Sequence, residues 1–161
     1  MAKSYDFGTR VVTNGSPDVV YRLLAEATSW RDWAGPLVTR SRWEVEPDAR
    51  GLGGRRRLGR PLFMVREEIT AAEPPRRHAY RMLSGQPVRS YRAEVHISPV
   101  ASPVSATPSA RDTPTVGAAP GTLIEWTGTV VPLLPGTGRL TSYLLGRMVH
   151  GFATRLAEAA G

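Results

Sequence analysis

The chain has 161 residues, no cysteine and a formal net charge of +7. That length is enough for one hydrophobic core, and without cysteine neither a disulfide nor a thiolate nucleophile or metal ligand can form. The positive charge sits almost wholly on arginine, with Lys3 the sole lysine, and no nucleic-acid motif accompanies it. A solvated basic surface is therefore expected, not a nucleic-acid partner.

A hydrophobic fraction of 41% suits a soluble globular chain. The opening MAKSYDFGTRVV lacks the apolar run of a signal peptide, and no stretch is long enough to span a bilayer. The expected location is cytoplasmic, with no stable membrane insertion.

Residues 5–13 alternate Tyr5, Phe7, Thr9 and Val11 against Asp6, Gly8, Arg10 and Val12, which predicts a strand with odd positions inward. Asn14-Gly15 turns the chain, Ser16 can cap a helix, and Pro17 suits its first position. Val19, Val20, Leu23 and Leu24 give that short helix its apolar face. A second brief helical turn, TSWRDW, sets Trp30 and Trp33 on one side, a spacing that suits core plugs. Gly35-Pro36 ends it. Six further strands follow at 40–46, 52–59, 63–73, 77–85, 88–98 and 121–131, divided by Pro/Gly-rich turns. Arg55-Arg56-Arg57, the densest basic cluster, falls inside a strand, where alternation splits it between two faces.

Residues 99–120 are rich in Pro, Ser, Thr and Ala and lack aromatics and periodicity, so a disordered hairpin insertion is expected there. The closing stretch, 137–159, repeats apolar side chains at helical spacing: Leu140, Leu144, Met148, Phe152 and Leu156, widened by Tyr143, Leu145, Val149 and Ala153. It predicts a helix about 30 Å long, capped by the Thr137 hydroxyl. The line through Leu140 and Leu144 is expected to face the sheet.

A strand, two short helices, a six-stranded meander and one long terminal helix resemble the helix-grip fold of the START-like (SRPBCC) superfamily. The carrying stretches are SPDVVYRLLAEATSWRDW, GLGGRRRLG, REEITAAEPPRRHAYRM, GTLIEW and PGTGRL. The likeness is greatest to small bacterial polyketide cyclase/dehydrase-like members. It implies an α+β fold in one domain, 1–161, with about seven antiparallel strands curled around the last helix. It also implies a cavity for a hydrophobic small molecule: lipid, aromatic or polyketide-like. Alternatives left open are an aromatase/cyclase or dehydratase, a protein-interaction module without a ligand, and a homodimer. No cofactor is implied.

The residues themselves offer few chemical groups. His78, His96 and His150 are far apart and follow no metal-ligand spacing, so no metal site is expected. No GxSxG elbow or phosphate-binding glycine loop is present. Strand parity gives one sharper expectation. If Gly59–Leu62 is a four-residue turn, Gly54 faces Glu67 and Arg56 faces Val65. A matching turn at Glu73–Arg76 sets Tyr80 opposite Ile69 and Met82 opposite Glu67. Glu67 then points inward, with Arg56 diagonal to it and Tyr80 nearby. A buried carboxylate needs such a partner, and the pair can be structural, a polar anchor for a ligand, or a general base. Glu67 is the one catalytic candidate. The expected cavity lining is Trp43, Arg56, Glu67, Tyr80, Tyr91, Trp126, Tyr143, Met148 and Phe152.

Overall fold

A computed structural model describes residues 2–101 and 120–161. Strand β1 spans Tyr5–Thr13 and helix α1 spans Pro17–Ala25. Ser16 accepts the Val19 N–H as N-cap, and Pro17 occupies the first turn. Helix α2 is the single turn Trp30–Trp33. Then come β2 (Arg40–Val45), β3 (Arg55–Arg60), β4 (Phe63–Glu73), β5 (Arg77–Ser84), β6 (Val88–Val100), β7 (Gly121–Pro132) and the long helix α3 (Gly138–Ala160). No helix among the described residues is long and apolar enough to cross a membrane.

The seven strands form one antiparallel sheet in the order β1-β7-β6-β5-β4-β3-β2. Alternation in β1 buries Phe7 and Thr13 and exposes Asp6, Gly8, Arg10 and Val12. The same period puts Tyr91, Ala93, Val95 and Ile97 of β6 on the buried face, with Ile124, Trp126 and Val130 of β7 beside them. Strand β6 runs two residues into the expected insertion, pairing Pro99 with Thr122 and Val100 with Gly121. The rest of that insertion, 102–119, lies outside the described residues.

Helix α3 crosses the sheet's inner face over β1 and β7 and meets α1. Its buried line is Leu145, Val149, Phe152, Ala153, Leu156 and Ala157. This corrects the expected docking face: Leu140, Tyr143 and Leu144 are exposed. The reason lies in the first turns, where α3 approaches β1 through small groups. A Cβ on Gly138 would sit 1.9 Å from the Tyr5 ring, and the Ser142 hydroxyl donates to the Asp6 carbonyl at 2.9 Å. With that side against the sheet, the Leu140–Leu144 line is turned away from β1. Thr137 precedes the helix, but its hydroxyl donates to the Leu134 carbonyl at 2.8 Å and caps nothing.

The β3–β4 hairpin also differs from expectation. Arg60 pairs with Phe63, so Pro61 and Leu62 alone make the turn, and Arg56 lies directly opposite Glu67. Leu62 takes a φ of 75°, the left-handed conformation that a branched side chain disfavours, and is 96% exposed. The β4–β5 register is as expected, with Glu67 opposite Met82 and Ile69 opposite Tyr80.

Candidate functional site

Between the sheet, α2 and the middle of α3 lies a hollow of about 390 Å³. Trp30 comes from α2, Leu58 and Glu67 from β3 and β4, Tyr80 and Tyr91 from β5 and β6, and Met148 and Phe152 from α3. Its rim is made of turns: Leu37 and Val38 after α2, Arg60 and Phe63 at the β3–β4 hairpin, and Gly85–Pro87 between β5 and β6. Leu37 and Phe63 are exposed there, so the rim is largely apolar.

The polar groups gather at the inner wall. Glu67 is 6% exposed, and its Oε2 accepts the Arg56 Nε–H at 2.9 Å. Arg56, fully buried, also donates Nη1–H to the Leu24 carbonyl at 2.9 Å. That carbonyl ends α1 and takes the Trp30 indole N–H as well, so one arginine closes a helix C-terminus and neutralises a carboxylate. The guanidinium lies over the Trp30 and Tyr80 rings, 4.6 and 5.0 Å from their centroids. Its Nη2 has no hydrogen-bond partner among the described residues. Burial pushes the Glu67 carboxyl above its ordinary value, with Arg56 pulling the other way.

Tyr80 completes the wall. Its hydroxyl accepts the Trp126 indole N–H at 3.2 Å, and the Tyr91 ring lies beside its own, with centroids 6.2 Å apart. A phenol has two lone pairs and one proton. With Trp126 donating, the Tyr80 proton is left to give, and an acceptor oxygen in the hollow is a suitable recipient. Burial raises both tyrosines well above the usual phenol range, so both stay protonated.

Of the nine lining residues expected from sequence, Glu67, Tyr80, Tyr91, Met148 and Phe152 line this hollow. Arg56 and Trp126 lie one layer behind, holding Glu67 and Tyr80 in place. Two are elsewhere. Trp43, on the sheet-edge strand β2, lines a separate hollow and donates its indole N–H to Glu26 at 3.0 Å. Tyr143 is exposed in a surface groove between β1 and α3, one helical step away from the inward line. Sequence reasoning missed Trp30 as a lining residue and the whole turn-built rim, since turns carry no periodicity to read. Among the described residues no cluster of three or more His, Asp or Glu could hold a metal.

Comparison with known proteins bears on this architecture. The sequence model of the family described as polyketide cyclase/dehydrase and lipid transport matches residues 6–161. Comparison with curated protein sequences returns no match. Among solved structures, XoxI from Bacillus cereus superposes with a TM-score of 0.69 at 20% identity, covering 99% of this chain and 96% of that one. A START superfamily protein from Mycobacterium smegmatis superposes at 0.73 with 13% identity, covering 96% of each chain. The di-domain ARO/CYC BexL superposes at 0.64 with 15% identity, over 98% of this chain and 48% of that one. At such identities the structures speak for the helix-grip fold alone. The sequence match spans nearly the whole chain, and the protein belongs to the polyketide cyclase/dehydrase and lipid transport family.

Proposed function

We propose that this protein binds a neutral, hydrophobic small molecule carrying a carbonyl or hydroxyl oxygen, in the hollow between the sheet and α3. One observation carries this reading. A largely apolar space holds two tyrosines and an ion-paired carboxylate at its inner wall, beneath an open and largely apolar rim that also carries Arg60 and Gln86. The apolar wall supplies affinity in proportion to the area it covers, and the Tyr80 hydroxyl fixes the oxygen-bearing end. A lipid, an aromatic or a polyketide-like compound satisfies these terms. The family's description, which includes lipid transport, supports a binding role.

A second reading has its own support: a carboxyl raised by burial within the same hollow, together with the likeness to an ARO/CYC protein. On that reading Glu67 acts as base for ring closure of a poly-β-ketone.

The test combines native mass spectrometry of freshly purified protein with titration of an apolar fluorophore. A co-purified apolar compound, and fluorophore binding abolished by Met148→Trp, are the expected results. A binding protein shows no turnover of a poly-β-ketone. A cyclase shows turnover that falls about a hundredfold in Glu67→Gln with affinity intact. Absence of any apolar binding would overturn both readings.

A further inference from the structure

The exposed apolar side chains gather at one end of the molecule. Neighbouring strands are antiparallel, so the β3–β4 turn, the β5–β6 turn, the β7–α3 connection and the starts of β1 and β2 share one end of the sheet. Among the described residues eleven large apolar side chains are exposed, and seven belong to this end or to the helical segments beside it. Leu62 and Phe63 stand at the β3–β4 turn, 96% and 76% exposed, and Leu37 shares the rim of the Glu67 hollow with Phe63. Leu133 and Leu134 follow β7, and Leu140 and Leu144 lie on the first two turns of α3. Leu144 sits one turn before Met148, on the helix line that leads out of the hollow. Single exposed apolar groups need no explanation, whereas a cluster marks a contact surface.

The charge at this end is nearly of one sign. Lys3, Arg40, Arg60, Arg89 and Arg139 are exposed there, and none has an ion-pair partner among the described residues. Lys3 and Arg89 line one recess with Leu133, and Arg60 stands on the rim of the hollow with Phe63. Of the acids nearby, Asp32 lies 3.8 Å from Arg31, and Asp6 accepts the Thr129 hydroxyl at 2.9 Å. Asp6 is thus the one carboxylate set against these five cations. Along the rest of the sheet Arg10, Arg55, Arg57, Arg66, Arg77 and Arg81 each meet a glutamate.

We propose that this end of the protein docks on an anionic lipid bilayer, with Leu62 and Phe63 entering between the headgroups and the five cations resting on them. The apolar tips stand on separate turns around an open mouth. A folded protein partner would have to match that broken outline, whereas fluid lipid takes any shape. Arginine suits the level of the phosphates, because its stem lies along apolar surface while its head stays in water. Leu62 is a second sign. It holds a left-handed turn position, φ 75°, that glycine would fill without strain. A leucine kept there, almost wholly exposed, has its use outside the fold. Such docking is peripheral and spans nothing. It does not depend on what the hollow holds.

The test compares vesicles of phosphatidylcholine alone with vesicles in which about one third is phosphatidylglycerol. The full chain is expected to sediment with the anionic vesicles, to ignore the neutral ones, and to be released by high salt. Leu62→Asp/Phe63→Asp and Arg60→Glu are each expected to weaken this binding about tenfold or more. Arg76→Glu, the same charge change on the β4–β5 turn at the opposite end, is expected to bind within about twofold of the unaltered protein. The chain has no cysteine, so Leu62→Cys can carry a polarity-sensitive NBD label. Its emission is expected to shift to the blue with anionic vesicles and to be quenched by brominated lipid chains, while a label on Arg76→Cys stays unmoved. If the double variant does not fold, the label decides alone. An unmoved label at position 62 in lipid excess, or equal vesicle binding by Leu62→Asp/Phe63→Asp, would overturn the proposal. So would a dimer that binds no vesicles and that these substitutions dissolve, which would assign the face to a second copy of the chain.

Discussion

One end of the interior is filled and the other is hollow, and α3 serves both. At the filled end its C-terminal half meets α1 and β7, where Val20, Leu24, Val95, Ile124, Val149, Ala153 and Leu156 are wholly buried. At the hollow end the same helix presents Met148 and Phe152 to empty space and carries Leu140 and Leu144 out into solvent. Side chains of one chemical kind thus do opposite work two turns apart. Apolar content marks a helix as amphipathic, but what it faces is settled by the elements opposite.

The sharpest way to break this comparison is to put a charge at the filled end. Leu156→Asp would bury an unpaired carboxylate at a cost of several kcal/mol. An unfolded or insoluble product is expected by circular dichroism and soluble yield. Next comes acid. The native His78 imidazole, packed at the filled end opposite Val95, stays neutral down to about pH 3, whereas in the unfolded chain it titrates near 6.5. Unfolding therefore takes up a proton between those values, and stability falls as pH drops through that window. At ~1.4 kcal/mol per pH unit, moving from pH 7 to pH 5 should remove about 2 kcal/mol. Urea titrations of the unaltered protein and His78→Phe at both pH values should differ by that amount.

At the hollow end the effects should be small. Leu62→Gly relieves a left-handed leucine that packs on nothing, offset in part by the entropy of glycine. A gain of about 0.5–1 kcal/mol in the same titrations is expected, and a loss would mean that Leu62 is held by contacts. Leu144→Asp changes a side chain that is 56% exposed. It should alter stability by less than about 0.5 kcal/mol. A large loss there would erase the distinction between the two ends.

The strands and the helix were readable from sequence because each has a period, and the two short helices because Ser16 and Pro17 announce the first and Gly35 ends the second. The inward aim of Glu67 survived an error in register. A four-residue turn was expected where Pro61 and Leu62 suffice, and the resulting slip of two residues leaves every side chain on its face. It moves Arg56 from diagonal to directly opposite, which strengthens the pair. The face of α3 was not readable. Its apolar stripe is wider than its buried line, and the choice between them is made by Gly138 and Ser142 meeting β1 far away in sequence. Trp43 pairs opposite Arg56 in regular register, but on edge strand β2 its indole donates to Glu26 and lines a separate hollow, a choice that alternation does not reveal. His78 gave no sign that its ring nitrogens lack hydrogen-bond partners among the described residues, which only the packing of Tyr21 and Arg56 around it reveals.

The hollow beside Glu67 has a thermodynamic consequence. Its walls forgo the dispersion contacts that a filled core would make, so the empty fold stands below the stability its chain could reach. A guest that binds only the folded state restores those contacts and draws the folding equilibrium with it. At a hundredfold excess over its dissociation constant this linkage amounts to about 2.7 kcal/mol. On the binding reading proposed above, the melting temperature becomes a function of ligand supply.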